Sequence, residues 1–130
     1  MKRILITGAA GFIGFHLAKQ LKRRGDFCLG LDHFNPYYDP ELKKSRAKEL
    51  LALGIEVVHA DIQEKETVQK LLFQHGITHV AHLAAQAGVR HSISHPDDYV
   101  ASNLQGFVSI LEACRLFPSL KLVYASSSSV

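Results

Sequence analysis

The run Thr7-Gly8-Ala9-Ala10-Gly11-Phe12-Ile13-Gly14 directly follows a β-branched segment, Arg3–Thr7. Glycines at this spacing suit a phosphate-binding turn. Gly8 permits the tight turn, Gly11 removes a Cβ so that the backbone can approach a pyrophosphate, and Gly14 lets the next helix pack close on the strand. The first-turn N–H groups of that helix then point at the phosphates, where the helix dipole favours an anion. Asp32 closes the second strand at about the expected distance of 20 residues, and its carboxylate suits both hydroxyls of a ribose. Such a carboxylate repels a 2′-phosphate and is expected to lack a compensating cation, so NAD is expected over NADP; the nearest basic candidates are His33 and Lys43. A solvated strand-end carboxylate is the plainer reading.

Other residues sit where the same chemistry needs partners. Asp61-Ile62 follows the third strand, at the carboxyl edge where ligands bind in such folds. Asp61 can meet an adenine amino group, or it can cap the next turn. Leu83-Ala84-Ala85 closes the fourth strand with small side chains, against which either a cofactor or a helix can lie. Ser127, between Ser126 and Ser128, follows the fifth strand and faces the same crevice; a polar strand-end turn also explains it. Arg90 suits a substrate carboxylate or phosphate, where a bidentate fork is useful, and equally suits a solvated loop.

The elements that must position these residues alternate along the chain. Phe12–Arg24 carries Ile13, Leu17 and Leu21 at i, i+4 and i+8, an amphipathic helix stopped by Gly25. Phe27–Leu31 is a second strand. Asp39-Pro40 caps and opens a helix running to about Leu53, closed by Gly54. Ile55–His59, Ile77–Leu83 and Leu120–Ala125 read as strands, Thr67–His75 as a helix ending at Gly76, and Asp97–Leu116 as one long helix. Strands alternating with helices, without hairpin signals, imply parallel strands and right-handed crossovers. Their continuous apolar runs imply a sheet covered on both faces. The expected fold is a Rossmann-type, doubly wound α/β sheet of five strands in the order 3-2-1-4-5.

In the last helix, Val100, Leu104, Phe107, Leu111 and Cys114 form the stripe expected to face the sheet. Tyr99, Ile110 and Phe117 lie off that stripe. Gly106 costs about 1 kcal/mol inside a helix unless something packs closely on it.

Composition bounds the class. The 130 residues are 47% hydrophobic, and 15 Lys+Arg against 12 Asp+Glu give +3. This is one globular domain's worth of chain, too mildly basic to imply a nucleic-acid partner. Cys28 and Cys114 stand far apart without metal-ligand spacing, as reduced thiols of a cytoplasmic protein do. Met1-Lys2-Arg3 and the apolar run to Ala18 imitate a signal peptide, but glycines interrupt the run and it falls short of the roughly 18 residues of a membrane span. Neither secretion nor membrane insertion is expected.

The chain resembles the extended short-chain dehydrogenase/reductases. The resemblance rests on the Thr-Gly-x-x-Gly-x-x-Gly turn, Asp32, Asp61, Leu83-Ala84-Ala85, the Asn103-Leu104-Gln105-Gly106 segment and the serine run. Within them, the Asp32–Lys43 stretch and Ala84–Ser92 look like the nucleotide-sugar epimerases, closest to the UDP-glucuronate 4-epimerases. The resemblance implies tightly bound NAD that takes a hydride from C4 of a UDP-sugar while the tyrosine of a Tyr-x-x-x-Lys pair removes the hydroxyl proton. The 4-keto sugar then turns over and the hydride returns to its other face. It also implies that Ser127 bonds O4, with Ser126, Ser128 and Arg90 near the substrate. Gly8, Gly11, Phe12, Ile13 and Gly14 would hold the pyrophosphate, and Asp32, Asn35 and Lys43 the adenosine half. Asp61 and Ile62 would meet adenine, and Leu83, Ala84, Ala85 and Asn103 would line the nicotinamide side.

One departure is large. Tyr99 and Tyr124 have no lysine four residues on, and Tyr37 and Tyr38 are followed there by Glu41 and Leu42. The sequence therefore reads as the first part of such an enzyme, truncated before the later strands and the substrate domain, and inactive alone. A stand-alone nucleotide-binding module and a catalytically dead remnant are the competing readings. The resemblance further implies a homodimer through the 97–116 helix.

Overall fold

The computed structural model describes residues 1–34, 40–85 and 89–126, with only the backbone at 89–91. Its strands are β1 (Arg3–Thr7), β2 (Phe27–Asp32), β3 (Val57–His59), β4 (His79–His82) and β5 (Lys121–Tyr124). They form one parallel sheet in the order β3-β2-β1-β4-β5, as the alternation predicts. Helices α1 (Phe12–Arg23), α2 (Pro40–Ala52) and α3 (Lys65–Gln74) make the first three crossovers. The crossover to β5 is built from α4 (Val89–Ser94), α5 (Pro96–Tyr99), a π-helical segment (Val100–Gln105) and α6 (Gly106–Arg115).

Successive strand residues point to opposite faces, so a continuous apolar strand feeds two cores. Ile4, Ile6 and Cys28 pack with Phe15 and Ala18 of α1 and with Leu50 and Ile55. Leu5, Leu29 and Leu31 pack with Val68 and Leu72 of α3 and with Ile110 and Ala113 of α6. Each fully buried Leu or Ile contributes roughly 1.5–3 kcal/mol. Helix ends are set by local chemistry. At the end of α2, Gly54 takes φ 86°, its N–H bonds the Leu51 carbonyl, and the Ile55 N–H bonds that of Leu50. This is a Schellman motif, and Gly25 and Gly76 close α1 and α3 in the same way.

The last crossover departs from expectation. The 97–115 stretch is helical in backbone, but its middle is π-helical, with the Gly106 N–H bonding the Ala101 carbonyl five residues back. The stripe expected to face the sheet is also displaced. Val100, Leu104 and Leu111 are exposed, whereas Gly106, Ile110 and Ala113 are buried and Phe117 packs on the core. Two causes are visible. A π turn holds an extra residue, which rotates the downstream side chains about the helix axis. Gly106 also admits Ile62, whose Cδ1 a Cβ there would overlap and whose Cγ1 would lie 2.9 Å from it. Helix α4 is not foreshadowed in the sequence, since six residues bounded by Pro96 carry too little periodicity.

Both cysteines are free, Cys28 buried and Cys114 half-buried. Burial, helped by Asp26, pushes the Cys28 thiol up to about 11, and burial raises that of Cys114. No helix among the described residues is long and apolar enough to cross a membrane.

Candidate functional site

A cleft of about 550 Å³ opens at the carboxyl ends of the strands, above β1 and its neighbours. Its floor is the turn between β1 and α1. Gly8 takes φ 71°, which an L side chain adopts only under strain, and a Cβ there would press on the Ala84 backbone at 3.0 Å. A Cβ on Gly14 would overlap the Gly8 carbonyl, so Gly14 packs against the turn itself rather than against the strand. Helix α1 begins above this floor with no side-chain cap and no acidic residue in its first turn. Nothing from these elements offsets the positive end of its dipole, and its first N–H groups have no partner within the helix.

Asp32 is 4% exposed and stands on the cleft wall, tied to the glycine turn. Its Oδ2 accepts the Ala10 N–H at 3.0 Å, and its Oδ1 accepts the Phe34 N–H at 2.8 Å and Lys43 Nζ at 3.1 Å. Phe34 reaches that position only by taking φ 57°, in the left-handed region, and its ring lies edge-on to His59. The ion pair with Lys43 is largely sheltered, the two side chains being 2% and 13% exposed. A compensating cation is thus present beside Asp32. Arg46, one turn beyond Lys43 on α2, lines the cleft too and donates to the Ala10 carbonyl at 3.1 Å. Ala10 is therefore held at both its N–H and its C=O.

The other expected residues divide. Gly11, Phe12, Ile13, Ile62, Leu83, Ala84 and Ala85 line the cleft. Asp61 is not among its lining: its Oδ1 accepts the Gln63 N–H at 2.9 Å, the turn-capping role. Asn103 and Ser126 border an adjoining hollow of about 220 Å³, with His82, Phe107 and Tyr124. Asn35, Ser127 and Ser128 lie outside the described residues, as do Asp39, Tyr37, Tyr38 and the side chain of Arg90.

Two features escaped sequence reasoning. Arg46 and Leu42 reach the cleft from α2, a placement that the i+3 offset of Arg46 from Lys43 and its i+4 offset from Leu42 would have suggested. The second is the Thr7–His82 pair. Thr7 Oγ1 accepts the Leu83 and Ala84 N–H groups at 3.0 and 3.1 Å and lies 2.7 Å from His82 Nδ1. Both side chains are buried, and burial pulls the His82 imidazole down to about 4. Only the two strand-end positions in sequence hinted that they would meet; strands β1 and β4 pair with Thr7 opposite His82.

Known proteins share this fold. The chain is 52% identical over 128 residues to UDP-glucuronate 4-epimerase 4 of Arabidopsis thaliana, covering 98% of this chain and 29% of that protein. It is 44% identical to Protein CapI of Staphylococcus aureus, over 98% of this chain and 38% of that one. Among solved structures, it superposes on a UDP-glucuronic acid 4-epimerase from Bacillus cereus in complex with UDP-glucuronic acid and NAD. The TM-score is 0.86 at 36% identity, covering 98% of this chain and 41% of that chain. A Thermus thermophilus UDP-glucose 4-epimerase in complex with NAD gives 0.81 at 35% identity, over 96% and 37%. The chain thus spans well under half of the proteins it matches. With the model of the NAD dependent epimerase/dehydratase family matching residues 4–130, and the glycine turn, Asp32 and sheet order in place, the chain belongs to that family.

Proposed function

We propose that this chain forms the NAD-binding part of a UDP-sugar 4-epimerase whose substrate is UDP-glucuronate. The observation that carries the reading is the Asp32 carboxylate, anchored on the Ala10 N–H of a glycine turn whose backbone packs so closely that a Cβ at Gly8 or Gly14 would force it apart. The Arabidopsis relative at 52% identity supports the sugar, because it is a UDP-glucuronate 4-epimerase by name and the match covers 98% of this chain.

When bound, NAD supplies a hydride acceptor for C4 of the sugar. The residues of this chain bind and orient. The first-turn N–H groups of α1 hold the pyrophosphate, with Gly11, Phe12 and Ile13 around it. Asp32 and Lys43, with Asn35, hold the ribose; Ile62, with Asp61 beyond it, borders the adenine end. Leu83, Ala84 and Ala85 exclude water from the nicotinamide end, where Asn103 and Ser126 border the adjoining hollow. By the resemblance, Ser127 would bond O4, with Ser126 and Ser128 as its neighbours in sequence, and Arg90 would pair with the sugar carboxylate. General acid–base catalysis needs a group within hydrogen-bond reach of the moving proton. The 130 residues carry no Tyr-x-x-x-Lys pair, so by themselves they are not expected to epimerise UDP-glucuronate.

Titration of the chain with NAD and with NADP is the direct test. Asp32→Ala should lower NAD affinity by roughly 1–3 kcal/mol, the range for losing a charged acceptor. Wild-type binding of NADP equal to or tighter than NAD would remove the reading.

A further inference from the structure

The Thr7 hydroxyl has one hydrogen and two lone pairs. Both lone pairs face backbone donors, the N–H groups of Leu83 and Ala84, so the hydrogen is left for His82 Nδ1. His82 must therefore present a bare Nδ1 and carry its single proton on Nε2. The ring is held in this orientation by Phe107, stacked on it at 5.4 Å between centroids and 16° between planes. Phe107 in turn leans on Tyr124 of β5.

We infer that His82 is a positioning residue of the cofactor cleft, acting through Thr7 to fix the Leu83–Ala84 backbone against the glycine turn. The inference rests on the proposed nucleotide site. His82 does not line the main cleft, but the backbone it steadies does. That backbone is also what Gly8 touches: the space a Gly8 Cβ would take is bounded by Ala84 Cα and N and by the Leu83 carbonyl carbon. The last residue of β1 is thus joined to the last residue of β4 and the two residues after it by three hydrogen bonds on one oxygen. Remove the acceptor at Nδ1 and the hydroxyl hydrogen has nowhere buried to go, so the hydroxyl turns and releases one of the two amides.

The test compares variants that differ in where they place an acceptor. Asparagine puts its amide oxygen near the Nδ1 position, glutamine reaches the Nε2 position, and leucine offers none. Amide hydrogen exchange at Leu83 and Ala84, and the Kd for NAD, are measured on the whole chain. His82→Asn should keep both near wild type, whereas His82→Gln and His82→Leu should speed exchange at Ala84, since the Leu83 N–H also bonds the Thr7 carbonyl at 3.3 Å, and weaken NAD by about tenfold. Thr7→Ser should likewise preserve what Thr7→Val loses. Unchanged exchange in His82→Leu, or equal effects of asparagine and glutamine, would overturn the inference. So would faster exchange with an unaltered Kd. No NAD binding by the wild-type chain would sink the nucleotide reading and the cofactor role of the clamp together; binding with no variant effect would sink the clamp alone. A His82→Leu chain that fails to fold leaves the asparagine–glutamine comparison to decide.

Discussion

Lys43 Nζ lies 3.1 Å from Asp32 Oδ1, so the carboxylate expected to exclude a 2′-phosphate is half of an ion pair. Its charge is offset locally, and Arg46 adds a second cation at the same wall. Discrimination against NADP should be weaker than a bare aspartate would give. Lys43→Met should lower affinity for NADP more than for NAD, raising the preference for NAD by several-fold. Parallel titrations of the two nucleotides check this, and a fall confined to NAD would contradict it.

His82 makes stability pH-dependent in a known direction. Its imidazole titrates near 4 when folded, against an ordinary value of 6.5. Between these values the unfolded chain takes up a proton that the folded chain does not, so stability falls as pH falls from 6.5 towards 4. The loss is about 3 kcal/mol in all, at about 1.4 kcal/mol per unit. Urea melts across this range should show the slope, and His82→Asn should flatten it.

At Gly106, helix propensity and packing oppose each other. Alanine gains about 1 kcal/mol of propensity, but its Cβ would overlap Ile62 Cδ1, and overpacking costs about 1–3 kcal/mol. Gly106→Ala should be net destabilising by about 1 kcal/mol. Pairing it with Ile62→Val, which removes the nearer of the two crowding carbons, should restore part of the loss. Additive losses in the double variant would exclude this account.

Val100, Leu104, Val108 and Leu111 leave an apolar strip on the outer side of the last crossover, and Val123 and Tyr124 of β5 are exposed as well. We expect the chain to self-associate through this helix at micromolar concentration, and Leu104→Glu to shift it towards monomer. Light scattering that finds the wild type monomeric would refute this.

The sheet order, the glycine turn and Asp32 were legible in sequence because each rests on local chemistry: β-branched runs, a positive φ at Gly8, a carboxylate at a strand end. The inner face of the last helix was not. Its direction depends on Ile62, distant in sequence from Gly106, and on a π turn that no periodicity reveals. The Thr7–His82 bond was hidden for a related reason, since it exists only once β1 and β4 lie side by side. Asp61 stood between two readings because a carboxylate at that position can serve a turn at no cost to the fold, and the turn is where its oxygens are found.

The Val100–Gln105 segment sets a phase between two halves of one rod. Before it ends, Ser102 and Asn103 look toward the crevice; beyond it, Ile110 and Ala113 look into the sheet. A π turn holds one more residue than an α turn, so deleting a single residue there would restore an ordinary α turn and leave the faces downstream nearly where they are. The same deletion inside α6, ahead of Ile110, has no such slack and would swing Ile110 by about 100° out of the interior. The π stretch should therefore absorb the loss of a residue that α6 cannot.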